Sequence, residues 1–399
     1  MNVLFLSQRL PFAPNRGDRT RAYFLLRELS RFAEVSLFSL IHDREEQDAV
    51  GSVPFVTRVA TAMVTPRRNR FKGAVQMVFS DRPLTHALLD APDARSKLEQ
   101  IFQESKPDVI VALCSSMAKF ALELPLSSRP LIVDFIDADS GKWRQLGEQT
   151  NGPLAWIYAR EARTLGAFEA TVCERAFATF VVNDRERDTL KIVAPHADIG
   201  VVEVGVELDD FRPPQPPVES SDVVFCGVMD YGPNDEGVRW FLDAVWPIVR
   251  RSRPDATFTI VGRSPTKNLH AAAAADPSVT VTGAVPSVQP YLWRSALSVA
   301  PLRRARGVQT KVLEAVAAGL PVVVTEAVMS GLPEEVRVSC ISEDDPDRFA
   351  QAVLAQLALP AAERRARAER TPLASLSWQG RLARVEQIVR AAAAHRRPQ

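Results

Sequence analysis

Short apolar runs alternate with stretches of helical character along this sequence, and the alternation occurs twice. The runs in the first half are NVLFLS, EVSLFSL, PDVIVALC, PLIVDFID and ATFVVND, and those in the second half are DVVFCGVM, ATFTIVG, VTVTG, LSVAPL and VVVT. Continuous apolar runs of this length suit strands that are buried on both faces, and strands that alternate with helices form parallel sheets. The pattern therefore predicts an α/β protein with two doubly wound, Rossmann-like parallel sheets.

The segment at 201–222, which includes the proline-rich run FRPPQPPVESSD, lies between the two sets of runs and has the composition of a linker. At 399 residues the chain exceeds what one ordinary hydrophobic core supports, so its length also indicates two domains. We predict a first domain over residues 1–205 and a second over 206–378. The amphipathic run at 379–399 predicts a terminal helix that packs back near the first domain. Two such domains that face each other across a cleft are suited to close around nucleotides and sugars.

The overall composition excludes several classes of protein. Lysine and arginine total 49 against 48 for aspartate and glutamate, so no net charge favours binding to nucleic acid. The four cysteines are scattered, without a CxxC or a Cys/His cluster, so we expect neither a disulfide framework nor a metal site. The N-terminal run lacks the features of a signal peptide, and no apolar run is long enough to span a membrane. We therefore expect a cytoplasmic protein.

The stretch at 305–325, ARGVQTKVLEAVAAGLPVVVT, places a lysine and a glutamate beside a loop. It predicts a loop after a strand, a helix over 309–318 that is stopped by glycine and proline, and a further buried strand. Lys311 and Glu314 then lie on one face of the first helical turns. A helix N-terminus at the carboxyl end of a strand attracts anions, Lys311 adds a full charge, and Glu314 can accept bonds from two hydroxyls. A sugar diphosphate would satisfy all three features; the alternative is a solvated Lys–Glu pair.

The order of motifs along the chain resembles the family-4 glycosyltransferases of the GT-B fold. GVQTKVLEAVAAGLPVVVT is similar to the family's donor motif, VVEVGVELDDFRP to its domain-junction motif, and FCGVMDYGPNDEGVRWFLDAVWPIV to the start of its second domain. SQRLPFAPNRGDRTRAYFLLRELSR and VDFIDADSGKW are similar to sugar transferases associated with exopolysaccharide loci and the PEP-CTERM/exosortase system. The resemblance covers nearly the whole chain. It implies a transferase that moves a sugar from a nucleotide sugar to a glycan or lipid-linked acceptor, with retention and without a metal or other cofactor.

The resemblance also implies roles for individual residues. Glu314 corresponds to the glutamate that holds the ribose hydroxyls of the donor, and Lys311 to a residue near the diphosphate. Gly17 lies in the loop that closes over the donor in the family, where a glycine would supply a close backbone approach or a positive φ. The predicted donor site comprises Glu314, Gly307, Val308, Gln309, Thr310, Arg303, Gly227 and Gly17, and the predicted catalytic residues are Asp137, Lys311 and Arg306.

The chain departs from the family pattern where phosphate charge is normally met. The family has a second glutamate eight residues before Glu314, and this chain has Arg306 there. The basic residues expected shortly after Gly227 are absent, and Asn234 stands near the usual position of a lysine. Arginine can form a fork to a phosphate or carboxylate, although Arg306 could also be a solvated side chain. We predict that the charge comes from one or more of Lys311, Arg303 and Arg306.

Two carboxylates follow a strand-like run in the first half of the chain. Asp137 and Asp139 flank an alanine in FIDADS, and in an extended segment both would point the same way. Asp137 could then orient an acceptor hydroxyl. The alternative is that these carboxylates cap the next helix, a role that Asp139 or Ser140 would suit.

A basic and apolar stretch, TPRRNRFKGAVQMVF, contains four cations at 67–72. Cations beside an apolar helix suit an anionic membrane surface, where a lipid-linked acceptor resides. The alternative is an ordinary helix with a solvated basic end. We expect at most peripheral contact with the cytoplasmic face of the inner membrane.

Two other functions are compatible with the predicted fold. A GT-B sugar-nucleotide epimerase needs paired acid and base residues, and the five scattered histidines argue against that pairing. A sugar-nucleotide-binding protein without catalysis is an alternative because the donor motif is altered.

Overall fold

A computed structural model describes residues 1–14, 17–65, 69, 80–214, 216–305 and 307–395. The chain divides into two compact units. Unit 1 comprises Met1–Val202 and Leu382–Gln399, and unit 2 comprises Glu203–Arg381. The basic stretch at 67–72 lies almost entirely outside the described residues, so its predicted membrane contact stays a prediction.

Unit 1 is built on a parallel sheet of seven strands in the described part of the chain. The strands are β1 (Asn2–Ser7), β2 (Glu34–Ile41), β3 (Arg58–Met63), β4 (Val109–Leu113), β5 (Leu131–Asp134), β6 (Ala178–Val181) and β7 (Ile199–Val201). Their order across the sheet is β3-β2-β1-β4-β5-β6-β7, and every pairing is parallel. The strand order reverses direction between β1 and β4, which defines a topological switch point.

Helices connect these strands and cover the sheet. They are α1 (Gly17–Leu29), α2 (Arg44–Asp48), α3 (Leu84–Leu88), α4 (Ala94–Ser105), α5 (Ser115–Ala121), α6 (Asp139–Glu148), α7 (Pro153–Arg175) and α8 (Asp184–Lys191). Single 3₁₀ turns occur at Val50–Ser52 and Leu126–Ser128. In β1 the side chains from Val3 to Leu6 are fully buried, because helices protect both faces of a doubly wound sheet.

Unit 2 repeats this architecture with six parallel strands among its described residues. The strands are β8 (Asp222–Cys226), β9 (Thr257–Val261), β10 (Val279–Val281), β11 (Leu297–Ala300), β12 (Val322–Val324) and β13 (Cys340–Ser342). Their order is β10-β9-β8-β11-β12-β13, and all pairs are parallel. The switch point of this sheet therefore lies between β8 and β11.

The helices of unit 2 begin after a short segment, residues 203–207, at which the chain enters this unit. They are α9 (Leu208–Phe211), α10 (Gly232–Trp240), α11 (Trp246–Ser252), α12 (Lys267–Ala275), α13 (Gln289–Arg294), α14 (Thr310–Ala317), α15 (Glu326–Met329), α16 (Glu334–Arg337), α17 (Pro346–Leu357), α18 (Ala361–Ala368), α19 (Leu373–Leu376) and α20 (Trp378–Ala394). Helix α20 begins in unit 2, and from Leu382 onward it belongs to unit 1. There the guanidinium of Arg390 lies 5.4 Å from the ring centroid of Phe32.

A π-helical turn at Phe241–Val245 joins α10 to α11 without interrupting the helix. Its two ends are well anchored. The Phe241 ring packs against Phe258 with ring centroids 4.7 Å apart, and the Trp246 indole donates to Ser278 Oγ at 3.1 Å. The helix is therefore fixed to the core at both ends of the π-helical turn.

The predicted fold class is confirmed, with two parallel-sheet, Rossmann-like units. The sequence pattern did not predict three of the described strands, namely β3, β7 and β13. The segment interpreted as a linker is also more structured than expected. It contains α9, and Val206 pairs with Ser377 in an isolated bridge.

Candidate functional site

The carboxyl ends of β8 and β11, which are neighbours in the unit 2 sheet, flank the candidate donor site. After β8 the chain passes through Gly227 into α10, and after β11 it passes through the loop at 301–309 into α14. Two helix N-termini therefore approach the switch point of the sheet, where ligands bind in open α/β folds. In the first turn of α14 the N–H of Val312 donates to the carbonyl of Gln309 at 2.9 Å, whereas the N–H groups of Thr310 and Lys311 have no intrahelical acceptor, because an α-helix leaves its first N–H groups unpaired.

Lys311 reaches from the first turn of α14 toward the N-terminus of α10. Its Nζ donates to the Oδ1 of Asn234 at 2.6 Å, and it lies 4.9 Å from the ring centroid of Phe225. No carboxylate of the described residues forms an ion pair with Lys311 within 4.0 Å. The ammonium is therefore held by a neutral amide and an aromatic face, and its charge is not neutralised by a direct partner.

Glu314 lies one turn further along α14 and is half-buried, as is Lys311. Burial lowers the pKa of Lys311 to about 8, against the attraction of Glu314 that favours its charged form. Burial likewise raises the pKa of Glu314 to about 7, although the nearby Lys311 opposes this shift. Beside them, burial raises the pKa of the Cys226 thiol to about 12, so this thiol stays neutral. Both charged groups are thus poised to gain from a ligand that carries complementary groups.

The sequence around this site uses glycine for two separate steric reasons. A Cβ on Gly227 would lie 2.8 Å from the Nδ2 of Asn234, so a side chain there would displace that amide. Gly307 has a φ of +60°, in the left-handed region that other residues rarely adopt. The first glycine keeps room for Asn234, and the second allows the loop to turn toward α14.

The other predicted donor residues lie along the same loop. Val308, Gln309 and Thr310 are half-buried, and Val308 packs against the core of unit 2. Arg303 is exposed, whereas the adjacent Arg304 pairs with Glu236. Arg306 lies outside the described residues, so its predicted role stays a prediction. The structure brings the predicted unit 2 residues Lys311, Glu314 and Gly227 to the same neighbourhood, at the switch point.

Asp137 lies at the corresponding edge of the unit 1 sheet, just after β5. The preceding residue, Ile136, has a φ of +65°, and its N–H donates to the Oδ1 of Asp134 at 3.0 Å. The other oxygen of Asp134 accepts from the buried guanidinium of Arg21 at 2.6 Å, and Arg21 also donates to the carbonyl of Val202 at 2.7 Å. A fully buried ion pair therefore fixes the turn that carries Asp137.

The carboxyl group of Asp137 is unusual in its environment. Burial, with repulsion from Glu186 and Asp139, raises the pKa of Asp137 to about 7. Its Oδ1 is buried and has no hydrogen-bond partner among the residues that the structure describes. Glu186 is itself engaged, since its Oε2 accepts from the Ala138 amide at 3.0 Å. Asp137 therefore has an oxygen left for a ligand, as does Glu169 nearby, whose Oε2 is also buried without a hydrogen-bond partner among the described residues.

The alternative interpretation of Asp139 as a helix cap is wrong. Ala138 occupies the N-cap position of α6 and makes no side-chain cap bond, while Asp139 is the first helical residue. The Oδ2 of Asp139 instead accepts from Ser115 Oγ at 3.0 Å. Of the segment assumed to be extended, Ala138 is extended, but Asp139 already belongs to α6.

Gly17 is not required by the geometry that suggested it. It is the first residue of α1, it has no positive φ, and a Cβ there would meet nothing within 4 Å among the described atoms. Its predicted role in donor binding therefore has no local steric argument behind it.

Three further features of the described residues bear on function. They contain no group of three or more His, Cys, Asp or Glu side chains placed to hold a metal ion. None of their helices combines the length and apolar character needed to cross a membrane. A cavity of about 890 Å³ lies along α6 and α7, lined mainly by alanine and glycine, and it includes none of the predicted site residues.

Sequence reasoning missed the two partners that organise these sites. Asn234 was noted only because a lysine was expected there, and its bond to Lys311 joins residues 77 positions apart. The Arg21–Asp134 pair spans 113 positions. For Asn234 the sequence did contain a signal, because this residue is an amide at a position where a cation is expected.

Part of the chain matches a known protein family by sequence. Residues 220–358, within unit 2, match a family model described as Glycosyl transferases group 1. No curated protein matches the chain by sequence.

Several solved structures are similar over nearly the whole chain. Sucrose-phosphate synthase from Thermosynechococcus elongatus is 15% identical with a TM-score of 0.71, and the match covers 99% of both chains. HepE from Anabaena, solved in complex with UDP-glucose, is 16% identical with a TM-score of 0.63, covering 99% of this chain and 100% of that one. The trehalose-phosphate synthase of Burkholderia vietnamiensis is 16% identical with a TM-score of 0.66, covering 98% and 100%.

These similarities establish the GT-B fold that the sequence predicted. The family match over residues 220–358 adds sequence support for a glycosyltransferase, and it contains the whole switch point between β8 and β11.

Proposed function

We propose that this protein is a glycosyltransferase that transfers a sugar from a nucleotide sugar to a glycan or lipid-linked acceptor. The observation that carries the proposal is the half-buried Lys311 beside Glu314 at the switch point of unit 2, because no carboxylate in the described part of the chain pairs with its ammonium. A buried cation without an anionic partner is costly, and a bound diphosphate would remove that cost. The carboxylate of Glu314 would accept from the two ribose hydroxyls.

Three kinds of support favour a nucleotide sugar over other phosphorylated ligands. The family match names glycosyltransferases, and its span contains Lys311 and Glu314. HepE, with the same fold, is described in complex with UDP-glucose and with UDP and glucose. A cation and a carboxylate side by side also suit a ligand that joins an anion to hydroxyls, which a free phosphate does not.

In the proposed mechanism the departing diphosphate is stabilised electrostatically. Lys311 and the first two backbone N–H groups of α14 would meet the charge that develops on the leaving group. Asp137 would accept a hydrogen bond or a proton from the acceptor hydroxyl. We further propose retention of stereochemistry, independence of metal ions, a role in exopolysaccharide or other surface-glycan synthesis, and at most peripheral contact with the membrane.

The direct test is a binding panel of nucleotide sugars with different bases and sugars, read by thermal shift and isothermal titration calorimetry. A ligand that binds only the folded state raises its stability, by about 2.7 kcal/mol at one hundred times Kd. We expect at least one nucleotide sugar to bind the parent protein and to lose affinity in Lys311→Ala. The control is Arg251→Ala, which removes an exposed cation from the last turn of α11.

The panel also separates the metal-independent mechanism from its alternative. Activity with the best donor should be unchanged by EDTA, because protein groups meet the charge of the leaving diphosphate. Loss of turnover with EDTA and recovery with Mg²⁺ would overturn metal independence. Failure of every nucleotide sugar to bind would overturn the proposed function itself.

A further inference from the structure

Asn234 is a buried polar residue at the switch point of the unit 2 sheet, between β8 and β11. It is 4% exposed and lies in the first turn of α10, which follows β8. Lys311 lies in the first turn of α14, which follows β11. Since β8 and β11 are adjacent, the bond between these side chains joins two helix N-termini across the switch point. A ligand bound there would contact this pair.

The amide of Asn234 is fixed by bonds at both of its ends. Its Nδ2 donates to the carbonyl of Val228 at 2.8 Å, and its Oδ1 accepts from Lys311 Nζ at 2.6 Å. The absence of a side chain at Gly227 leaves the space in which this Nδ2 lies. Because the first bond sets which atom is the acceptor, Oδ1 faces Lys311.

A neutral acceptor has a consequence for the charge of Lys311. An aspartate at position 234 would form an ion pair with the ammonium and would repel an anionic ligand. A lysine at this position would repel Lys311. An asparagine fixes the direction of the ammonium while its charge stays available, and the aromatic face of Phe225 supports the other side.

We infer that Asn234 is a positioning residue that holds the Lys311 ammonium, unneutralised, toward the diphosphate of the donor. The inference rests on the proposed function and deepens it, because it says why this chain can lack the basic residues expected shortly after Gly227. The cation is supplied from α14 and is held in place by α10. Asn234 acts on the ligand through Lys311.

The test measures the affinity of nucleoside diphosphate and of the matching nucleoside in single and double variants. Asn234→Asp keeps the shape of the side chain and should reduce diphosphate affinity about 100-fold, with nucleoside affinity changed less than about twofold. Asn234→Ala should reduce diphosphate affinity about 10-fold. In a Lys311→Ala background, Asn234→Ala should cause no further loss, because its effect passes through the lysine.

The pH profile supplies a readout that a merely structural role would not move. In Asn234→Asp the new carboxylate should raise the pKa of Lys311, so the alkaline decline of diphosphate affinity should shift to higher pH. Equal losses for nucleoside and diphosphate, or additive losses in the double variant, would overturn the inference. If the parent protein binds nucleoside diphosphate and the Asn234 variants bind it equally well, the inference fails and the proposed function stands. If the parent binds no nucleotide, both fail.

Discussion

The two sheets share a topology, yet their carboxyl edges handle charge in opposite ways. In unit 1 the buried cation Arg21 is paired with Asp134 at the end of β5, and just beyond it Asp137 lies near two further carboxylates, Glu186 and Asp139. In unit 2 the cation Lys311 has no carboxylate within ion-pair distance among the described residues, and the carboxylate of Glu314 lies near it. A paired charge holds structure together, whereas an unpaired one is available to a ligand.

This difference suggests which ligand class each unit takes. An anionic diphosphate suits the edge with the available cation, and a neutral, hydroxyl-bearing acceptor suits the edge where carboxylates accept hydrogen bonds. The same contrast makes a prediction about substitutions that change charge. At Arg21 in unit 1 they should alter the free energy of unfolding, and near Lys311 in unit 2 they should alter donor affinity.

The largest expected effect is on stability, in Arg21→Met. Removing one partner of a buried pair leaves Asp134 uncompensated, which costs about 3–5 kcal/mol of unfolding free energy. Urea denaturation followed by circular dichroism measures this change. The control is Arg44→Met, which removes a cationic side chain that is 92% exposed and should change stability by less than about 0.5 kcal/mol. An Arg21 variant as stable as the control would mean that the pair does not hold unit 1 together.

Asp137→Asn should affect turnover and leave donor binding intact. An asparagine cannot accept a proton, so we expect a loss of about 100-fold in turnover of acceptor at pH 8. Since the pKa of Asp137 is raised to about 7, turnover in the parent should rise with pH through 7 as the carboxylate forms, and the variant should lack this rise. Asp188→Asn, an exposed change in α8, is the control. If donor affinity fell as much as turnover, Asp137 would contact the donor and not the acceptor.

Glu314→Gln should weaken donor binding about 10- to 100-fold, because hydrogen bonds to a charged group are worth about 1.5–3 kcal/mol. Stability should respond in the opposite direction. The folded-state pKa of Glu314 is raised from 4.5 to about 7, so its ionisation costs stability progressively between these values and fully above 7. The variant should therefore unfold no more easily than the parent at pH 8. A variant that binds donor normally would exclude the ribose contact.

The smallest effect is on the pH dependence of donor affinity. Lys311 must be charged and Glu314 ionised, so affinity should be highest between about pH 7 and 8 and fall on either side. Each limb should change affinity by up to about tenfold per pH unit, by proton linkage. Lys311→Arg should remove the alkaline limb, because arginine stays charged. Calorimetric titrations at pH 6 to 9 measure both limbs, and a flat profile would contradict the assignment.

The sequence predicted the central strands well and the outer ones poorly, for a physical reason. Strands such as β11 and β12 are buried on both faces, so they read as continuous apolar runs. The missed strands β3, β7 and β13 are all outermost in their sheets and only partly buried, so their sequences carry no such run. Edge strands are specified by pairing with a neighbour, which a local pattern does not contain.

The candidate sites divide in the same way. The position of Lys311 and Glu314 at a helix start followed from a local strand–loop–helix pattern. The contacts of Asn234 and Arg21 depend on which strands become neighbours, and that order is set by the whole domain. The fold and the site neighbourhood were therefore predictable from the sequence, while the partners that orient the side chains were not.

Because of the π-helical turn at Phe241–Val245, the effect of shortening this helix on ligand recognition depends on where the residue is lost. Deleting one residue there would yield a regular α-helix, because a π-turn holds one residue more than an α-turn. The two segments on either side would keep nearly the same orientation, because the wider turn absorbs its extra residue, and Asn234 would still reach Lys311. Deleting one residue between Asn234 and Trp240, in the regular part of α10, would instead rotate Asn234 by about 100° relative to the anchored Trp246, since an α-helix has 3.6 residues per turn. A relative of this protein that is one residue shorter at the π-turn could therefore aim its cation with the same residue, whereas one shortened earlier in the helix would need a different residue.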